Sequence, residues 1–283
     1  MANLGDLHAH TTFSDGIWDL NRWAMLLEES KERLFSITDH DSLEFYETEV
    51  YKRYENQILP GVELSCQQEG RTVHLLVYGK LQELQRTTVL IKGIGAARSH
   101  RFEEMLKYLK TLNIHVRQTV MDWSPSQKTS SNLAQECYKT GLLLDRKTFY
   151  ALFSGKEGAR FSSYRDFPSL QKVLEELKDA PLAKIIAHPA GLLKYNKPLL
   201  EELKESGLSG LEVYHPVHKR SLRKYYKKLC KEYDLLCSGG SDFHGYHPYR
   251  SAKSGLNPQQ LKVLLNGLKS REILDSHDFQ AWS

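Results

Sequence analysis

Six of the seven strand-like apolar runs in this 283-residue chain end in, or open onto, side chains that can bind a metal ion. The runs cover residues 4–7, 34–38, 58–63, 73–78, 183–187, 210–214 and 235–238. The first leads into His8 and His10 and then Asp15, and the second into Asp39, His40 and Asp41. Glu63 ends the third, His74 opens the fourth, His188 follows the fifth, and Asp242 and His244 follow the seventh. Six of the twelve histidines are placed this way. Packing alone gives polar side chains little reason to recur at the ends of apolar strands. The recurrence therefore predicts one shared pocket.

The runs alternate with amphipathic stretches, the pattern of β/α units. Trp23, Leu26 and Leu27 share one helical face, as do Leu222, Tyr225, Tyr226 and Leu229, and Leu261, Leu264, Leu265 and Leu268. Between about residues 81 and 167 the alternation stops, and Phe102, Met105, Leu106 and Leu109 recur at helical spacing. The predicted fold is an α/β, distorted seven-stranded TIM-like barrel. Its two parts, residues 1–85 and 166–283, flank a mostly helical insertion, 86–165, that covers the active site. A parallel barrel gathers side chains from separate strands at its C-terminal rim.

The residue types fix the chemistry. Imidazole and carboxylate suit zinc, manganese or iron, and a carboxylate can bridge two ions. The spacing of His8 and His10 puts both on one side of an extended segment. Gly16, and Gly239 with Gly240, are expected to supply tight turns that fold ligands back over the rim. Each fragment also has a bland reading: a lone HxH is as often surface or core, and Asp39 either orients His40 or caps a helix. The set as a whole points to metal.

The segments LHAHTTFSDG, ITDHD, GVELS, VHLLVYG, IIAHP, LEVYHPVH and GGSDFHG, in that order, resemble the PHP (polymerase and histidinol phosphatase) superfamily, with the closest likeness to its nucleotide phosphoesterases. The resemblance spans roughly residues 1–80 and 168–250. It implies a trinuclear centre of two to three divalent ions (Mn, Fe or Zn). One ion would be held by His8, His10, Glu63 and Asp242, a second by Glu63, His74 and His188, and a third by Asp15, His40 and His244. The implied reaction is hydrolysis of a small phosphorylated substrate, such as a nucleotide or oligonucleotide end, by a metal-bridging hydroxide. Two other readings share part of the pattern: an amidohydrolase-type metallohydrolase, and a non-catalytic metal-binding interaction module. The extra set Asp15, His40 and His244 favours the phosphoesterase.

A phosphate facing the protein needs cationic donors. The insertion offers Arg98 and Arg101, and Lys156 and Arg160. His218, with His215 as the alternative, is the candidate phosphate ligand or proton donor to the leaving oxygen. Nucleotide-cleaving relatives carry an Arg-Pro-His-like segment in the insertion, where this chain has Ser130-Ser131-Asn132. That substitution removes a cationic clamp and puts a nucleotide bisphosphate in doubt.

Lys+Arg 39 against Asp+Glu 35 gives a net charge of +4, suited to a small anion and well short of a dedicated nucleic-acid binder. The segment containing Gly93 and Gly95 lacks the strand–turn–helix context of a dinucleotide site. Four cysteines without a CxxC pair, no apolar run long enough to span a bilayer, and an N-terminus unlike a signal peptide together predict reduced thiols, a cytoplasmic location and no membrane partner.

Overall fold

The computed structural model describes residues 4–153, 166–193, 196–247, 249 and 255–282. All seven predicted runs are strands: β1 Gly5–Ala9, β2 Leu34–Ile37, β3 Gly61–Gln68, β4 Arg71–Tyr78, β5 Ala183–Ile186, β6 Gly210–Tyr214 and β7 Leu236–Gly239. They do not form one continuous closed ladder. β1 and β2 pair in parallel as one sheet, and β3-β4-β5-β6-β7 form a second. Single bridges link the two at both seams, Phe35 to Ile58 and His40 to Glu63 on one side and Ala9 to Phe243 on the other.

β4 runs antiparallel to both β3 and β5. Gly70, at φ +73°, turns the hairpin where a side chain would be strained. Because the strand is reversed, its ligand must come early to reach the rim that β3 reaches. His74 does so, lying opposite Ser65 in the register.

The two-residue period of a strand then sorts the side chains. Val62 and Leu64, Leu75 and Val77, and Leu211 and Val213 pack outward against the helices Leu170–Glu176, Lys197–Glu205 and Arg220–Glu232. Burying each such residue stabilises by about 1.5–3 kcal/mol. The alternate positions, Glu63, His74 and Glu212, consequently face the other way. Register shifts in β1–β2 between Asp6 and Ala9, and in β6–β7 between Glu212 and Tyr214, re-aim strands beside these residues.

The stretch between β4 and β5 is helical where described, with helices Thr88–Thr111, Ser130–Lys139 and Arg146–Leu152. Its own core gathers Phe102, Met105, Leu109, Leu133, Cys137 and Phe149. The 24-residue helix Thr88–Thr111 belongs to both regions, since its Leu90 and Ile94 pack into the strand-side cluster. All four cysteines are free thiols. Among the described residues no helix is long and apolar enough to cross a membrane.

Candidate metal centre

Glu63 is the hub. Its Oε2 lies 3.2 Å from His8 Nε2, 3.3 Å from His10 Nε2 and 3.1 Å from His40 Nδ1. Its Oε1 lies 3.2 Å from His74 Nδ1 and 3.3 Å from His188 Nε2. Asp242 Oδ1 completes one cluster at 3.4 Å from His8 Nε2 and 3.2 Å from His10 Nε2. Asp15 Oδ1 sits 3.1 Å from His244 Nε2 and 3.8 Å from His40 Nε2.

Around Glu63 and Asp15, three groups have ligand atoms all within 4.8 Å of one another: His8, His10, Glu63 and Asp242; His10, Asp15, His40 and His244; and His40, Glu63 and His74; a fourth, Asp275, His277 and Asp278, is mostly exposed. The first matches the expected set. In the second and third, His10 joins Asp15, His40 and His244, and His40, on Glu63 Oε2, takes the place expected of His188, which meets Oε1 together with His74.

The spacing suits ions. Ligands at about 2.0–2.1 Å from a tetrahedral ion stand about 3.3 Å apart, which is the spacing of the first cluster. Buried polar atoms also point at one another without making hydrogen bonds: His8 Nε2, His40 Nδ1, Glu63 Oε2 and Asp15 Oδ1. Orphaned buried polar atoms are rare and costly in a packed protein.

The electrostatics agree. Burial alone would raise the Glu63 carboxyl, but His8, His40 and His74 hold it well below the usual range. Asp242 behaves likewise, held down against burial by His8 and His244. Burial opposes charge on His244, yet Asp15 and Asp242 push it up to about 10. His8 is raised well above its ordinary value by Glu63, Glu212 and Asp242, again against burial. Burial wins at His40, which is pushed well down.

Backbone geometry delivers these ligands at a cost. Asp242 (φ 53°) and His188 (φ 30°) both adopt left-handed conformations that non-glycine residues avoid. Each such residue stores on the order of 1–3 kcal/mol. Gly16 and Gly240, expected in tight turns, are instead needed for close approach. A Cβ on Gly240 would collide with His8, and one on Gly16 with the His10 carbonyl.

The sequence reading missed Glu212. Fully buried in β6, it accepts from His8 Nδ1 at 2.9 Å and from the His188 backbone N–H at 2.7 Å. The first bond leaves His8 Nε2 facing Glu63 and Asp242, an arrangement that suits a ligating histidine. The available signal was a lone carboxylate at an alternate position of an apolar strand.

Asp39 neither orients His40 nor caps a helix. Its carboxylate accepts from Thr11 N at 2.8 Å, Thr11 Oγ1 at 2.6 Å and Ser14 Oγ at 2.5 Å, fixing the loop that carries Asp15. The helical segment grips the same loop: Ser126 Oγ donates to Phe13 O, Gln127 Nε2 to Thr12 O and Asn132 Nδ2 to Ser14 O.

Arg98, expected on phosphate, is instead buried in a pair with Asp41, and it donates to Ser65 Oγ at 2.5 Å. Ser65 N and Oγ in turn bond the Asp41 carboxylate. Arg98 thus braces the chain between His40 and Glu63. Arg101 is also buried. Lys156 and Arg160 lie outside the described residues. His218 is turned inward: Nδ1 meets Val213 O at 3.1 Å, the ring lies against Tyr226, and burial pushes its pKa down. His215 faces the site, with Nε2 at 3.5 Å from Asp242 Oδ2 and Nδ1 accepting from Val217 N.

A cleft of about 190 Å³ opens beside His74 and His188, between Arg71–Val73 and Pro189 and Leu192.

No protein-family model matches the sequence. The chain is 30% identical over 258 residues, 85% of its length and 94% of the relative's, to the phosphoribosyl 1,2-cyclic phosphate 1,2-diphosphodiesterase of Eggerthella lenta. It is 25% identical over 250 residues, 84% of this chain and 89% of the other, to a 5'-3' exoribonuclease of Haemophilus influenzae. Its fold matches a structure named as a metal-dependent phosphoesterase from Bifidobacterium adolescentis with TM-score 0.75, at 22% identity, covering 93% and 96% of the two chains. It matches an amidohydrolase from Chromobacterium violaceum with TM-score 0.76, at 23% identity, covering 95% and 96%. At these identities the two structures speak to the fold alone. The sequence relationship runs nearly end to end through the strands that build the His, Asp and Glu cluster, and on that ground the chain belongs to the PHP family of metal-dependent phosphoester hydrolases.

Proposed function

We propose that the nine residues His8, His10, Asp15, His40, Glu63, His74, His188, Asp242 and His244 hold two to three divalent ions, and that the enzyme releases phosphate from a small phosphorylated ribose derivative or nucleotide. The observation that carries this reading is Glu63: five imidazole nitrogens stand at 3.1–3.3 Å from its two oxygens. The names of the two sequence relatives, both acting on ribose phosphodiesters, support the substrate class. The division into a barrel (1–85 and 166–283) and a helical insertion (86–165) is part of the same reading.

Bound divalent ions would supply a Lewis acid for phosphoryl oxygens and a water acidic enough to ionise near neutral pH. The chain's own groups do the rest. Glu212 fixes the tautomer and direction of His8. Asp39 holds the Thr11–Asp15 loop in place. In His215, Nδ1 accepts from the backbone, so its proton sits on Nε2, facing Asp242 and the substrate side. His218 donates Nδ1–H to Val213 O and is turned into the interior, so His215, whose Nε2–H faces the site, is the better placed of the two to donate a hydrogen bond to a phosphoryl oxygen.

The test is Asp15→Ala and His244→Ala, assayed for phosphate release from a panel of nucleotides and sugar phosphates with Mn added. Both variants should lose turnover while far-UV circular dichroism stays native. Unaltered turnover would discredit the site.

A further inference from the structure

We propose that Tyr249 and Arg33 are positioning residues for the metal centre: acting through the Asp6 carboxylate, they hold the turn that presents Asp242 to an ion. This deepens the metal-centre reading and rests on it. Asp6 lies in β1 and is wholly buried. Its Oδ1 accepts from Ser241 N at 2.7 Å, and its Oδ2 accepts from the Tyr249 hydroxyl at 2.6 Å. That hydroxyl accepts in turn from Arg33 Nη2 at 2.9 Å.

Asp242 needs such a hold. Its backbone sits at φ 53°, a conformation that persists only where the surroundings over-determine it. The seam between β7 and β1 is no continuous ladder, and the isolated bridge from Ala9 to Phe243 marks it. Asp242 N donates to His8 O at 2.8 Å, and His10 N donates to Phe243 O at 2.9 Å. The Ser241 N–H goes to the Asp6 carboxylate, so the aim of the turn depends on where that carboxylate points. Tyr249 also holds the far side of the turn, its ring edge-on to Phe243 with centroids 5.1 Å apart. The tyrosine thus acts on both neighbours of Asp242, on Ser241 through Asp6 and on Phe243 directly.

The three side chains share their charges. Among the described residues no cation pairs directly with the buried Asp6 carboxylate, and no carboxylate pairs with the buried Arg33. The Tyr249 hydroxyl joins them, donating to one and accepting from the other. Burial and the Asp6 carboxylate push the pKa of that hydroxyl up, so it keeps the proton it donates. Arg33 is held in its own place between two rings, its guanidinium carbon 5.2 Å from the centre of Phe35 and 5.3 Å from that of Tyr249. Its Nε is buried without a partner. Removing the hydroxyl would take a hydrogen bond from two buried charges at once, and buried charges depend on such bonds. The carboxylate would then be free to rotate away from Ser241.

The experiment titrates Mn into EDTA-treated wild type, Tyr249→Phe, Arg33→Met and Arg33→Lys by calorimetry, and unfolds the same metal-free proteins in urea. Tyr249→Phe keeps the ring against Phe243 and removes the hydroxyl alone. It should bind Mn about 10–100-fold more weakly, the loss typical of removing a group that holds a metal ligand in place. Arg33→Met should fall in the same range, and Arg33→Lys, which retains the charge and a donor, should recover most of the affinity. The double variant Tyr249→Phe/Arg33→Met should bind no more weakly than the poorer single one, because both act through one carboxylate. Variants that lose urea stability but bind Mn like the wild type overturn the inference, as do losses that add in the double variant. If Tyr249→Phe does not fold, the Met and Lys variants of Arg33 decide alone, and wild-type affinity in Arg33→Met overturns it. A wild type that takes up no Mn overturns the metal-centre reading and this inference with it. A wild type that binds Mn while the variants match it overturns the positioning role alone.

Discussion

Glu212 Oε1 lies 2.9 Å from His8 Nδ1, with both side chains wholly buried, while Glu212 Oε2 takes the backbone N–H of His188 at 2.7 Å. One carboxylate thus sets the ring of one proposed ligand and the backbone of another. Glu212→Gln, close in shape, should lower metal affinity or turnover by about 10–100-fold, as is typical for partners of ligating histidines. Metal titration against phosphate release checks it. Unchanged affinity and turnover would reduce Glu212 to a packing residue.

Loading the centre should expel protons. His244 is pushed up to about 10 and His8 well above its ordinary value, so both hold protons at neutral pH that a bound ion must displace, and His10 and His188 are shifted in the same direction. Metal affinity should therefore weaken as pH falls, since a protonated imidazole cannot ligate. Calorimetry of Mn or Zn binding at pH 7.5 in buffers of different ionisation enthalpy should show a heat that scales with the buffer. A buffer-independent heat would contradict the assignment of these rings.

Arg98→Met should destabilise by about 3–5 kcal/mol, because it strands the Asp41 carboxylate in the interior. Pairing it with Asp41→Asn should recover part of that loss. Urea unfolding of the three variants measures both effects. A neutral single variant would mean that Asp41 reaches water.

Gly240→Ala should displace β1 and weaken metal binding while Gly70→Ala, which meets no neighbouring atom, should leave the metal site untouched despite its strained backbone. Metal content after purification separates the two.

Much of this was legible in the sequence because strand period and ligand chemistry are local properties. His8, Glu63, Asp242 and the seven runs each announce themselves within a few residues. What stayed hidden depends on partners far along the chain. Arg98 reads as a surface cation until Asp41, 57 positions away, is seen beside it. Glu212 reads as one acid among many until β6 pairs with β5 and β7 and turns it toward His8. The reversal of β4 was equally invisible, since a run of Val and Leu has no direction.

The buried arginine of the helix Thr88–Thr111 has one more implication. The Arg98 guanidinium is sunk between Asp41, next to His40, and Ser65, two residues past Glu63, while Leu90 and Ile94 of the same helix are rooted in the strand-side core. Lifting this helix would strip a charge pair and an apolar seam at once and pull on both ligands. The helix is therefore expected to stay fixed against the strands beneath it, a rigid brace rather than a moving part.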